Sequence, residues 1–264
     1  MRSARHEVFA IRLGGVDRPA RENFMAPGGR EGPMPLDFTM WLIGSGDDAI
    51  VVDTGFDPEA GRRRDRHLDV RPADAVRAMG ADPQAVRTVV LTHLHYDHAG
   101  NLGDFPRAEV VVQEAEVAYA TGPAMRYGQL NHFFEPDDVV DVVRRVHAGG
   151  VRFVDGAATL VDGVEVQLVG GHTRGLQVVR VLTARGWIVL ASDAIHYYAN
   201  LEEQNPFPAV VEVDRVLSGY ERIVALADTP DHVVPGHDPQ VFERYAPAPA
   251  AGVTAVQLHR PPTH

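Results

Sequence analysis

Short apolar runs punctuated by turn residues alternate with a few stretches of helical periodicity along this chain. Residues 38–43 and 49–52 read as two strands joined across Gly44-Ser45-Gly46-Asp47-Asp48, and the second runs into Asp53-Thr54-Gly55. Residues 72–79 read as a short helix that Gly80 closes with a left-handed cap. Residues 86–91 form a near-continuous apolar run, the pattern of a strand buried on both faces. A strand at 109–112 is expected to feed a helix that runs through Ala120. From 137 to 147, Val139, Val140, Val143 and Val146 fall at helical spacing, and Gly149-Gly150 ends the helix. Leu160-Val161-Asp162-Gly163-Val164 predicts a hairpin. Val164, Val166 and Leu168 then alternate toward His172. Residues 178–182 and 187–190 predict a strand pair around Arg185-Gly186, residues 213–227 an amphipathic helix, and Val233-Val234 a strand leading to His237.

The order is a β-rich half, a helix, a second β-rich half and a second helix, without a strong linker before residue 246. This predicts an α/β protein built as one four-layer αββα domain over residues 1–264: two mixed sheets back to back with helices on the outer faces. Residues 246–264 read as a C-terminal tail, its Pro/Ala stretch from Ala246 to Ala251 linker-like and without assignable chemistry.

Composition narrows the function. A chain of 264 residues, 45% hydrophobic and 23% charged, can bury a sizeable core. The formal net charge of -11, with no basic face evident, argues against a nucleic-acid partner. No run approaches the roughly 20 apolar residues of a membrane span. Met1-Arg2-Ser3-Ala4-Arg5-His6-Glu7 lacks the apolar stretch of a signal peptide, so a cytoplasmic location is expected. Cys is absent, which removes disulfides and thiolate ligands. All 25 basic residues are Arg; no Lys is available to grip a substrate carboxylate, and Arg62-Arg63-Arg64 reads as a solvated loop beside Asp65.

The candidate chemistry lies in His93-Leu94-His95-Tyr96-Asp97-His98, directly after the apolar run Val89-Val90-Leu91. Three imidazoles and a carboxylate in six residues suit zinc and its borderline neighbours. His172, Asp193 and His237 follow, each beside glycine or at a strand end. Seven ligands are too many for one tetrahedral ion and enough for two. In an extended segment His93 and His95 project to one side and can bind the same ion. A carboxylate shared at Asp193 would hold two cations about 3.5–4 Å apart, close enough to share a hydroxide at neutral pH. One such histidine alone would read as a surface or hydrogen-bonded residue; the combined spacing is the stricter filter. Asp53 reads as a residue that supports a turn or a ligand rather than a ligand itself. His6, His67, His132, His147, His196, His232, His259 and His264 read as non-ligands, of which His132 and His196 sit where substrate would pass.

From Val52-Asp53-Thr54-Gly55 to Pro235-Gly236-His237, these motifs resemble the metallo-β-lactamase superfamily. The resemblance implies an αββα sandwich with a dinuclear site, His93, His95 and His172 on one metal, Asp97, His98 and His237 on the other, and Asp193 bridging. Zinc β-lactamases commonly carry Cys or Ser near the position of Asp193. Among Asp-bridged members the chain looks most like the N-acyl homoserine lactonases and pyridoxolactonases, on Val52-Asp53-Thr54-Gly55-Phe56, Thr92-His93-Leu94-His95-Tyr96-Asp97-His98-Ala99-Gly100-Asn101, and Asp193-Ala194 followed by Asn205-Pro206-Phe207. Two departures stand out. The lactonases usually place a substrate-orienting Tyr three residues after the bridging Asp, where this chain has His196 followed by Tyr197 and Tyr198; and they tend to have a His at the position of Leu176.

The resemblance implies a quorum-quenching type of lactonase acting on a small-molecule ester, with two divalent ions (zinc first, then iron, manganese or cobalt). Asp97 would pass a proton to the leaving oxygen, and His196 or Tyr197 would donate to the developing oxyanion. Met125, Tyr127, Phe133, Phe134, Tyr197, Tyr198 and Phe207 are candidates for an apolar acyl-chain channel or simply for core cover. A glyoxalase II-like thioesterase, or an amide or β-lactam hydrolase, is the alternative on the same ligands. A non-catalytic metal-stabilised domain would need only four closed ligands. Dimers are common in this family, so a homodimer stays open.

Overall fold

Side-chain alternation in single strands feeds separate cores. Within Leu36–Ile43, Phe38, Met40 and Leu42 enter one buried cluster, while Trp41 and Ile43 enter another. The same split separates Val89 from Val90 and Val189 from Leu190. Val89, Val90 and Leu91 thus read as an unbroken apolar run because both faces of that segment are covered, whereas Arg87 just before the strand is exposed. Each Val, Leu or Ile side chain so buried contributes about 1.5–3 kcal/mol relative to an exposed one.

The computed structural model describes residues 4–263; Met1, Arg2 and Ser3 of the charged N-terminal segment, and His264, lie outside the described residues. In chain order the strands are β1 (Val8–Val16), β2 (Leu36–Ile43), β3 (Ile50–Val52), β4 (Thr88–Val90), β5 (Glu109–Gln113), β6 (Val151–Val154), β7 (Ala157–Val161), β8 (Val164–Leu168), β9 (Gln177–Thr183), β10 (Gly186–Ser192), β11 (Val233–Pro235) and β12 (Ala255–Gln257). One sheet runs β12-β1-β2-β3-β4-β5-β6 and the other β11-β10-β9-β8-β7. Both are mixed: β3 through β6 pair in parallel and so do β10 and β11, whereas the remaining pairs are antiparallel.

Val8, Trp41, Val52 and Val90 of the first sheet meet Val164, Val179, Ile188 and Leu190 of the second in a shared core. Helices Pro72–Ala78 and Pro136–His147 cover the first sheet through Ala75, Val76, Val139 and Val142. Helix Val213–Leu226 covers the second through Val216, Tyr220 and Ile223. The result is the four-layer α/β sandwich that the alternation of elements predicts. No helix among the described residues is long and apolar enough to cross a membrane.

Three features depart from the sequence reading. Strand β1 was not anticipated, because Gly14-Gly15 interrupts its apolar run where a bulge sits against β2. The expected tail supplies β12, which pairs antiparallel with β1 and buries Val256 and Leu258. Helix Pro136–His147 turns a different stripe inward: Val142 is fully buried, whereas Val140 is 40% exposed.

Candidate metal centre

The cluster assembles where strands of both sheets end. After β4 the chain passes Leu91 and Thr92 and delivers His93 and His95; Asp97 and His98 then sit on the short helix Tyr96–Ala99. His172 follows β8, Asp193 follows β10 and His237 follows β11. Ser192 takes a left-handed φ of 46°, which swings Asp193 out of the strand direction at a cost of about 1–2 kcal/mol. A Cβ on Gly236 would lie 2.7 Å from the carbonyl carbon of Ser192, so only glycine lets the His237 loop cross that turn so closely.

Three groups of donor atoms each gather within 4.8 Å: His93, His95, His172 and Asp193; Asp97, His98 and His237; and Asp193, His196 and His237. The two oxygens of Asp193 face different neighbours. Oδ1 lies 3.0 Å from His98 Nε2 and 2.9 Å from His237 Nε2. Oδ2 lies 3.3 Å from His172 Nε2, 3.9 Å from His93 Nε2 and 3.1 Å from His196 Nε2. His172 Nε2 and His95 Nδ1 are 2.9 Å apart.

Oxygen acceptors fix which imidazole nitrogen faces this centre. His98 Nδ1 donates to Asp53 Oδ2 at 2.8 Å, His237 Nδ1 to the Asp37 carbonyl at 2.7 Å, and His172 Nδ1 to the Ala209 carbonyl. Each leaves Nε2 as the inward lone pair, the arrangement that orients metal-binding histidines. Asp53 is the supporting residue the sequence suggested: fully buried, with φ 61°, it also accepts from the Thr92 amide and hydroxyl at 2.8 Å. Glu116, which sequence reasoning missed, ties two ligand segments together. Its buried carboxylate accepts from the Leu94 amide at 3.0 Å, the Thr173 hydroxyl at 2.7 Å and the Gly175 amide at 2.9 Å. Residues 94 and 173 are distant in sequence, so no local signal marks it.

The electrostatics suit cations. Burial, reinforced by neighbouring imidazoles, holds His93 and His95 well below the ordinary histidine range and pushes His172 down to about 3. These rings are therefore neutral at pH 7, the state in which an imidazole can ligate a metal. Burial alone would raise Asp193, but His237, His98, His196 and His172 hold it well below the usual carboxylate range. Burial likewise opposes a charge on His98 and His237, yet Asp193 and Asp97 raise both, and Asp53 adds to the pull on His98. His93 Nε2 is buried without a hydrogen-bond partner among the described residues, and His98 Nε2 meets Asp193 Oδ1 at 3.0 Å without hydrogen-bond geometry. Unpaired imidazole nitrogens around a carboxylate fit a divalent ion and fit an apolar core badly.

A cavity of about 540 Å³ opens onto the cluster. His95, Asp97, His172, Asp193, His196 and His237 reach its wall, and so does His132. His196 is buried and stacks flat on Phe207, ring centroids 3.9 Å apart. Tyr197 does not join it: its side chain is fully buried and its hydroxyl donates to the Pro35 carbonyl at 3.2 Å. The backbone there is extended, which points consecutive side chains to opposite sides. Of the channel candidates Phe133 and Phe207 line the cavity, whereas Met125, Tyr127, Phe134, Tyr197 and Tyr198 do not. Arg62 and Arg63 end helix Pro58–Arg63, and Arg64 turns into the cavity wall instead of a solvated loop.

Comparison with known proteins follows the same lines. The family profile described as metallo-beta-lactamase superfamily matches residues 38–241. The N-acyl homoserine lactonase AttM of Rhizobium johnstonii is 31% identical over 194 residues, 67% of this chain and 67% of that one. An N-acyl homoserine lactonase of Bacillus cereus is 25% identical over 243 residues, 84% of this chain and 88% of that one. Among solved structures, an N-acyl homoserine lactone hydrolase with the product N-hexanoyl-L-homoserine bound at its catalytic metal center superposes with a TM-score of 0.75 at 20% identity. It covers 92% of this chain and 96% of that one.

Proposed function

The chain belongs to the metallo-beta-lactamase superfamily as a metal-dependent hydrolase of ester bonds, and on that premise we propose that it opens lactone rings, of N-acyl homoserine lactones or a similar small cyclic ester. In this reading His93, His95 and His172 hold one divalent ion and Asp97, His98 and His237 a second, with Asp193 shared. The observation that carries it is the division of Asp193: one oxygen faces His98 and His237, the other His172 and His93. Zinc is the first candidate, since neutral imidazole and carboxylate suit it. When bound, such ions acidify water and polarise an ester carbonyl.

The chain's own residues supply the rest. Asp97, its side chain 13% exposed, reaches the cavity and is placed to take a proton from the attacking water and return it to the ring oxygen as the C–O bond breaks. His196 lines the cavity three residues after Asp193, where the lactonases usually place Tyr; it stacks on Phe207 with Nε2 3.1 Å from Asp193 Oδ2, and in this reading a ring N–H donates to the carbonyl oxygen. Tyr197, with its hydroxyl committed to Pro35, has no part.

The test is metal analysis together with proton release from short- and long-chain homoserine lactones, thioesters and β-lactams. We expect two metal equivalents and preferential lactone cleavage. Asp193→Ala should lose bound metal, and its activity should fall by at least about a hundredfold. A variant that retains both ions removes the shared-carboxylate assignment. Rapid thioester cleavage with inert lactones replaces the proposed substrate.

A further inference from the structure

The lactone-binding cavity carries more positive charge than a neutral acyl chain requires. In a chain with 36 acidic and 25 basic residues, Arg18, Arg64 and Arg66 all line this one cavity. Beyond the metal-facing Asp97 and Asp193, Glu22 is the carboxylate on its wall.

The three guanidiniums are committed to different degrees. Arg64 is a clamp: it pairs with Glu135 at 2.9 Å and donates to the His132 carbonyl at 2.6 Å, while its guanidinium lies 4.2 Å over the Tyr96 ring. Glu135 is shared with Arg63 at 2.7 Å, so one carboxylate serves two cations. Arg18 donates to Asn23 Oδ1 at 2.9 Å and to the Glu22 carbonyl at 3.2 Å; its nearest carboxylate, that of Glu22, is 3.8 Å away and half exposed. Arg66 uses Nη1 for the Arg64 and Asp65 carbonyls, and among the described residues no carboxylate lies within 4.0 Å of it. Counting Arg18, Arg63, Arg64 and Arg66 against their partners Glu22, Glu59 and Glu135 leaves one positive charge in excess. Divalent ions at the cluster would add to that field.

Position matters as much as charge. Arg18 lies 5.2 Å over Phe207, the ring that stacks on His196. Arg64 lies over Tyr96, the neighbour of Asp97 in sequence. Arg18 therefore stands one aromatic ring away from His196, and Arg64 and Arg66 line the same cavity. Guanidinium forks in a partly enclosed cavity recognise carboxylate and phosphate oxygens through charge-assisted hydrogen bonds.

We infer that the substrate of this cavity is an anionic ester, with a carboxylate or phosphate group remote from the scissile bond, held by Arg66 and Arg18 in the field of Arg64. This rests on the hydrolase reading for the cluster end and adds a subsite at the other end.

The test separates the two. Calorimetric titration of the zinc-loaded protein with hexanoate and with adipate compares one carboxylate with two on the same chain. Adipate should bind about tenfold more tightly, and the gap should shrink to about twofold in Arg66→Met and in Arg18→Met, while Arg66→Lys retains part of it. Hexanoate affinity in each variant reports whether the metal end still folds. A phosphonate in place of the distal carboxylate assigns the group: tighter binding points to phosphate esters, weaker binding to carboxylates. Equal affinity for hexanoate and adipate in the unaltered protein overturns the subsite, as does a gap that survives both methionine variants. An adipate preference with every lactone inert supports the subsite and removes the lactone reading; lactone turnover with no adipate preference does the reverse.

Discussion

At the scale of single residues, Asp53 separates support from ligation. Its carboxylate fixes His98 through Nδ1 and the start of the His93 segment through Thr92, yet it stands outside the donor groups. Asn keeps the shape and tolerates the left-handed φ, so Asp53→Asn isolates the charge. Metal affinity in that variant, measured by competition with a chromophoric chelator, is expected to fall about 10–100-fold with the fold retained; an unchanged affinity would reduce Asp53 to a turn residue. The ligand candidates were legible in the sequence because they are chemically distinctive and four of them lie within six residues. Glu116 and Arg66 were not, because a carboxylate that ties residue 94 to residue 173, or an arginine that turns into a cavity, has no local signature. Tyr197 was misread because sequence proximity to Asp193 says nothing about which side of an extended backbone a ring takes.

Individual elements carry their own electrostatic history, most clearly helix Pro136–His147. Asp138 lies in its first turn, where the helix dipole favours a negative charge. Burial acts against that charge, and Glu135, Asp57, Asp141 and Asp137 add repulsion, pushing its carboxyl up to about 7. One of its oxygens, Oδ2, is buried without a partner among the described residues. The folded pKa exceeds the unfolded one, so the protonated group favours the fold at low pH, and this advantage is lost as pH rises from about 4 through about 7. Asp138→Asn should therefore stabilise the protein by roughly 1–3 kcal/mol at pH 8 and by little at pH 4. Urea unfolding at the two values measures it; an equal effect at both would place the charge in solvent. The same helix limits what periodicity reveals. Val139, Val140, Val142, Val143 and Val146 populate more than one face, and contact with the first sheet, which no local pattern encodes, selects Val139 and Val142. Strand β12 was hidden for a similar reason: three residues among Pro and Ala become a strand only because β1 offers an edge.

For the whole molecule, the decisive fact is that the candidate ligand segments come from both sheets. His93, His95, Asp97 and His98 follow β4 of the first sheet, whereas His172, Asp193 and His237 follow β8, β10 and β11 of the second. The sheets already share a core, and Gln113 Nε2 donates to Gln177 Oε1 at 2.9 Å between them. Ions held by the cluster would add a second fastening at the open end, where His93 and His98 of one sheet and His172 and His237 of the other gather around Asp193. Ligand binding to the folded state alone stabilises it by about 4 kcal/mol when free metal exceeds its dissociation constant a thousandfold. For a chain of this length, each kcal/mol corresponds to about 2–4 °C in melting temperature. Removing metal with a chelator should thus lower the Tm by roughly 10 °C, reversibly on adding zinc. Scanning calorimetry checks it, with Asp193→Ala expected to lose most of the response because one carboxylate serves both groups of imidazoles. A Tm indifferent to metal, in protein shown by elemental analysis to have lost it, would mean that the shared core alone joins the sheets and that the ions serve chemistry without holding the structure.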